Sequence, residues 1–168
     1  MPKNSIVILA ALMTLSVFSQ DSIQAQTRTE LKNDSGIELL GKAVIYSFSY
    51  QRMINSKLGL QVGVSGLGGS GGGIAFFPVG AKFYFLSGKA SPFLAGGIVG
   101  TTTEIDTGPD GLEDSDAYDY VGPGFKFRSS TDFLFRGSLD ALVAGGAFFA
   151  WPGMHIGYAF KAIEAIKI

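Results

Sequence analysis

The sequence predicts an all-β fold, an eight-stranded antiparallel up-and-down transmembrane β-barrel, and three observations predict it. From Gly36 onward, short runs of alternating apolar and polar or small residues are broken by turn residues, the pattern of strands joined by hairpins. The runs are eight, an even count that brings the chain back to the side where it began. The face opposite the apolar one is crowded with glycine and charge, a poor composition for an ordinary water-facing sheet.

The eight runs are Gly36–Leu40, Val44–Met53, Leu58–Ser65, Ile74–Leu86, Pro92–Thr103, Tyr118–Arg128, Asp132–Val143 and Trp151–Phe160. Most approach the roughly 9–11 residues with which a tilted strand crosses a bilayer. One set of connections, Asn55–Lys57, Ser87–Ser91 and Ser129–Thr131, is short. The other, Gly41–Ala43, Gly66–Gly73, Asp106–Ala117 and Ala144–Ala150, is mostly longer. Short periplasmic turns and longer outer loops characterise barrels of the outer membrane.

The alternation assigns faces. Leu58, Leu60, Val62 and Val64 oppose Gly59, Gln61, Gly63 and Ser65; Val121, Phe125 and Phe127 oppose Tyr120, Gly122, Gly124, Lys126 and Arg128. Phe133, Phe135, Leu139 and Ala141 oppose Arg136, Ser138 and Asp140, and Phe77, Val79, Phe83 and Phe85 oppose Gly80, Lys82 and Tyr84. Pro92–Thr103 is ambiguous, with glycines and aliphatics on both faces. In a membrane barrel the apolar face meets lipid, and a narrow interior holds only packed side chains. Tyr118, Tyr120 and Trp151 are expected at the outer interface. Tyr50, Phe85, Phe127, Phe133, Tyr158 and Phe160 are expected at the inner one, as aromatic girdles.

Length and composition agree. The 168 residues suit one domain. The 24 Gly are about twice the usual share of about 7%, but 14 Phe, 6 Tyr and a net charge of −1 are not those of a disordered chain. Near-neutrality also removes a general basic surface for nucleic acid. With no Cys there is no disulfide, thiolate metal site, cysteine nucleophile or lipoprotein anchor.

Residues 1–25 read as a cleaved secretory signal. Lys3 supplies the charge, Ile6–Phe18 the apolar run, and Ser19 and Ala25 the small residues at candidate cleavage points. Residues 26–35 are a short polar segment, 36–160 the barrel and 161–168 a C-terminal tail. No later segment reaches helix-spanning length without glycine or charge, so any span must be made of strands.

The segment Ile37–Met53 (IELLGKAVIYSFSYQRM), the Pro78–Tyr84 and Phe93–Gly97 strands and the ending WPGMHIGYAF at Trp151–Phe160 resemble a known family. It is the small, mostly uncharacterised outer-membrane barrel proteins of the Bacteroidota type, with OmpA/OmpX-like eight-strand architecture. The resemblance covers most of the chain after the signal and rests on aromatic and glycine patterns. It implies a Gram-negative outer membrane and assembly by the insertion machinery, which reads a last strand closing on an aromatic residue, matched by Tyr158 and Phe160. The tail KAIEAIKI departs from it, because such strands usually end the chain.

The chemical motifs weaken on inspection. Gly66–Gly71 matches GxGxxG, but a strand and not a helix follows, and no acid lies about 20 residues on. Asp106, Asp110, Glu113, Asp114, Asp116 and Asp119 are oxygen donors of the kind hard cations take. Their spacing is not that of an EF-hand, so a solvated loop is expected. His155 is the only His, and Gly157 stands where a lipid-modifying barrel hydrolase would carry its Ser. No catalytic residue, cofactor or metal is expected. Glu38, Gln61, Lys82, Lys126, Arg128, Arg136 and Asp140 are the expected lumen network, since buried charges persist only when paired and hydrogen-bonded.

The expected role is structural or surface-interacting. A small passive pore, a lipid-modifying enzyme and a secreted soluble lipocalin-like barrel are the alternatives. The expected partners are outer-membrane lipids and lipopolysaccharide and the insertion machinery, with no nucleic acid, for a monomer.

Overall fold

The computed structural model describes residues 31–105 and 112–161. The expected signal (1–25) and nearly all of the tail lie outside them. Eight strands follow one another: β1 (Asn33–Leu40), β2 (Tyr46–Met53), β3 (Leu58–Gly69), β4 (Gly72–Tyr84), β5 (Ala90–Ile105), β6 (Leu112–Arg128), β7 (Phe133–Ala144) and β8 (Ala147–Phe160). Each pairs antiparallel with the next, and β1 pairs with β8 from Asn33↔Phe160 to Leu40↔Gly153, closing an up-and-down barrel.

At the end holding the two strand termini, here called basal, side chains make the turns. Asn55 Oδ1 accepts from the Lys57 and Leu58 N–H groups, both at 2.8 Å, and so reverses the chain between β2 and β3. Ser91 Oγ accepts from Leu86 N at 3.1 Å across the β4–β5 turn. At the other, apical end Gly145 and Gly146 have φ of 56° and 83°, the left-handed pair a two-residue hairpin requires.

Registers decide the faces. Ile37, Phe48, Leu60, Val62, Val64, Phe77, Val79, Leu94, Ile98, Val121, Phe125, Phe135, Leu139 and Ile156 are exposed around the whole outer wall. Their strand neighbours Glu38, Gln51, Gln61, Lys82, Lys126, Arg136 and Asp140 are buried inside. The ambiguous fifth run resolves with Leu94 and Ile98 outward and Phe93, Ala95 and Val99 inward. Here the interior is itself apolar, so alternation of polarity could not show the face. The interior glycines seat rings: a Cβ on Gly80 would overlap the Tyr120 hydroxyl, and one on Gly124 the Phe93 ring.

Four expectations are corrected. Where they are described, the apical connections are not long loops. Gly66–Gly73 is mostly strand turning at residues 70–71, residues 112–117 belong to β6, and only residues 145–146 separate β7 from β8. Glycine has low strand propensity, but ladder pairs such as Leu67↔Ile74, Gly68↔Gly73 and Gly73↔Glu104 hold these stretches in the sheet. The apical excess is therefore in strand length. Second, β1 begins at Asn33, so residues 33–35 leave the polar segment for the barrel. Third, Tyr118, Tyr120 and Trp151 are not an outer girdle: they pair with the inward Val99, Gly97 and Asp140 and face inward. The expected inner girdle does face outward, with Tyr50, Phe85, Phe127, Phe133, Tyr158 and Phe160 exposed at the basal end. Fourth, Gly41–Ala43 is not a loop standing out from the barrel; it folds into the mouth as a buried 3-10 turn.

Candidate functional site

Among the described residues, the buried polar side chains gather in the interior, in two tiers. The lower centres on Arg136 of β7. Its guanidinium donates to both oxygens of Asp34 on β1, at 2.8 and 3.3 Å, the two-pronged geometry that makes an arginine–carboxylate pair strong. It also donates to Gln51 Oε1 at 2.7 Å, and Tyr84 OH donates to the same oxygen at 3.0 Å. Lys126 Nζ lies 3.9 Å from Asp34 and 5.0 Å over the Tyr84 ring.

His155 completes this tier. Its Nε2 lies 2.6 Å from Arg136 and its Nδ1 3.2 Å from Ser49 Oγ. A guanidinium only donates, so Nε2 must be the accepting nitrogen and Nδ1 carries the proton toward Ser49, a tautomer inferred from the bonds. A nucleophilic dyad needs the opposite arrangement, with the lone pair of the histidine facing the hydroxyl. Ser49–His155 is therefore not poised to make a nucleophile, and both groups are buried.

In the upper tier Glu38 pairs with Lys42 of the inward turn and accepts from Gln61 Nε2 at 3.4 Å. Ser138 donates to Asp140 at 2.9 Å, and Lys82 Nζ sits 5.2 Å over the Phe93 ring. Glu38, Lys42, Lys82, Arg136, Asp140 and His155 border a cavity of about 10 Å³, room for about one water. Above it the turn is latched. Tyr118 OH donates to the Lys42 carbonyl, and Trp151 Nε1 donates to the Val44 carbonyl at 3.1 Å.

All seven residues singled out from the sequence are buried in this interior. Lys126 and Arg136 meet at Asp34, and Glu38 and Gln61 meet each other. Lys82 and Asp140 face the small cavity. Arg128 lies one inward position below Lys126, at the basal end of β6. The expected network lacked Asp34, Lys42, Ser49, Gln51, Tyr84 and His155, although the alternation had already set Tyr84 on the inward face. Asp34 shares its parity with Glu38, and that signal could have found it. Gly66–Gly71, the GxGxxG match, is a β3–β4 hairpin with no helix behind it. Of the acidic run, Asp114, Asp116 and Asp119 are exposed on β6, whereas Asp106 and Asp110 lie outside the described residues. Among the described residues no cluster of three His, Cys, Asp or Glu is arranged to hold a metal.

Fold and site together define a closed, antiparallel eight-stranded barrel with a filled polar lumen and an apolar exterior. Among solved structures the chain is similar to the N-terminal β-barrel domain of Pseudomonas aeruginosa OprF, with 14% identity over 76% of this chain and 96% of that one, at a TM-score of 0.61. It is also similar to Ail, the attachment invasion locus protein of Yersinia pestis, with 13% identity over 76% and 93% of the two chains, at a TM-score of 0.49. The first likeness shows the shared fold; the second adds nothing to it. No family model matches the chain, and no curated protein does.

Proposed function

We propose that the chain is a bacterial outer-membrane β-barrel with a closed lumen, serving a structural or surface-interaction role. The observation that carries this reading is the inversion of its faces: exposed phenylalanines, leucines and valines ring the wall while charges fill the centre. In water that wall would be an apolar patch far larger than soluble monomers carry. In a bilayer a closed barrel leaves no sheet edge unpaired. The OprF domain supports the reading through its fold, and the Bacteroidota-type resemblance of the strands belongs to it. So do export by the N-terminal signal, monomeric insertion through a last strand ending in Tyr158 and Phe160, and contact with lipopolysaccharide. The interior supports a non-enzymatic role, and a cavity of about 10 Å³ below a latched turn favours a plug over a passive pore.

Cell fractionation with gels of unboiled and boiled samples tests the placement. Recovery in the outer membrane with a heat-dependent mobility shift is the expected result; a soluble periplasmic chain without a shift overturns it. Planar-bilayer recordings test the closed lumen, and steady unitary conductance by the native chain would overturn that part.

A further inference from the structure

The charges on the outside of the barrel are segregated end from end. Every exposed cation among the described residues lies at the basal rim: Lys32 before β1, Arg52 near the end of β2, Lys57 and Lys89 in the turns, and Lys161 after β8. Among the described residues no carboxylate is exposed there; Asp34 is buried and Asp132 half-buried. Every exposed carboxylate among the described residues, Glu104, Asp114, Asp116 and Asp119, lies at the apical end, with no exposed cation beside it.

The basal cations ring the foot of the apolar wall. Arg52 is on the outward face of β2, two residues beyond Tyr50, and its register partner on β3 is the exposed Leu60. Tyr50 packs on Phe160 at 6.4 Å and Phe83 on Phe85 at 5.5 Å, so aromatic rings line the same level. Aromatic rings with cations just beyond them mark the headgroup depth of a bilayer. Basic side chains at that depth attract anionic lipid.

Resting on the membrane reading above, we propose that the basal rim binds the phosphate groups of anionic phospholipids in the leaflet it faces, while the apical rim repels them. Arg52 stands on the outer wall beside the exposed Leu60, at the level of the aromatic rings, which favours lipid over an anionic cell-wall polymer lying beneath the barrel.

The test refolds the full chain into vesicles of equal parts phosphatidylcholine and phosphatidylglycerol, extracts it gently, and weighs the retained lipids by native mass spectrometry. Phosphatidylglycerol is expected to exceed phosphatidylcholine by about fivefold. The triple variant Arg52→Gln, Lys57→Gln, Lys89→Gln should return to the bulk ratio with its heat shift intact, and Asp114→Asn with Asp116→Asn should keep the enrichment at or above the wild-type level. A wild-type chain that shows the heat shift but retains lipid at the bulk ratio sinks this inference alone, as does a triple variant as enriched as wild type. Binding to isolated cell-wall polymer through the same three cations, without lipid enrichment, also overturns it. A chain with no heat shift takes the membrane reading down with it.

Discussion

The lower and upper halves of the lumen are closed by different means. Below, Asp34 on β1, Gln51 on β2, Tyr84 on β4, Arg136 on β7 and His155 on β8 converge on one guanidinium, so five of eight strands meet in one polar knot. Above, the seal is a piece of backbone: residues 41–43 fold inward, with Lys42 reaching Glu38 and two side chains holding carbonyls of the turn. Charges mounted on strands cannot leave the interior without unfolding the wall. The charge of Lys42 rides on a turn, so displacing that turn would release it without unfolding the wall.

The upper seal is also strained. Leu40 and Val44 have φ of 57° and 67°, and β-branched or bulky residues seldom adopt positive φ. Val44, with ψ of −53° and an Ile45 N–H to Ala43 O bond of 2.8 Å, forms the rare γ-turn. Such backbone persists where the surroundings over-determine it. Here those surroundings are Trp151, Tyr118 and the Glu38 carboxylate.

This difference can be broken experimentally, beginning with the lower knot. Arg136→Ala leaves Asp34 buried without its main partner and should cost about 3–5 kcal/mol, read as a lower urea midpoint in folded vesicle samples. Glu38→Ala should cost less, about 1–3 kcal/mol, because Lys42 can leave with its turn. Equal costs for the two variants would erase the distinction between fixed and mobile charge. Trp151→Phe removes the latch on the Val44 carbonyl and should cost about 1 kcal/mol, with faster amide exchange confined to residues 41–45. Uniformly faster exchange would mean that the turn is not a separate unit. The smallest effect has the opposite sign. Leu40→Gly, at an exposed position, relieves about 1–3 kcal/mol of strain against the roughly 0.5–1 kcal/mol entropic cost of glycine, and should raise the midpoint slightly. A lower midpoint would show that Leu40 is unstrained.

The wall of the barrel was legible because lipid-side alternation repeats along most strands: Leu58–Val64 and Phe133–Leu139 state their faces outright. The seven charged or amide residues expected inside followed from the same parity. Less legible were places where local chemistry and tertiary context disagree. Asp34 sits in a polar stretch whose periodicity is visible only once β1 is known to start at Asn33. Gly66–Gly73 has the composition of a loop, and only pairing with β4 and β5 makes it sheet. Tyr118, Tyr120 and Trp151 are aromatic residues near strand ends, as girdle residues are. Their neighbours across the barrel, Lys42 and Val44 among them, are what turn them into a latch and a filler, and no local pattern encodes a turn that folds inward.

The pairing of β1 with β8 carries a last consequence. A ring of strands has no privileged beginning: Asn33 and Phe160 are register neighbours, so the seam between them is chemically like any other junction in the wall. A short linker across that seam, with new ends cut at Asn55–Lys57, would leave the hydrogen-bond circuit unchanged. What the natural order does fix is timing. Because Asp34 and Arg136 stand 102 positions apart, the central clasp cannot fasten until the seventh strand is in place.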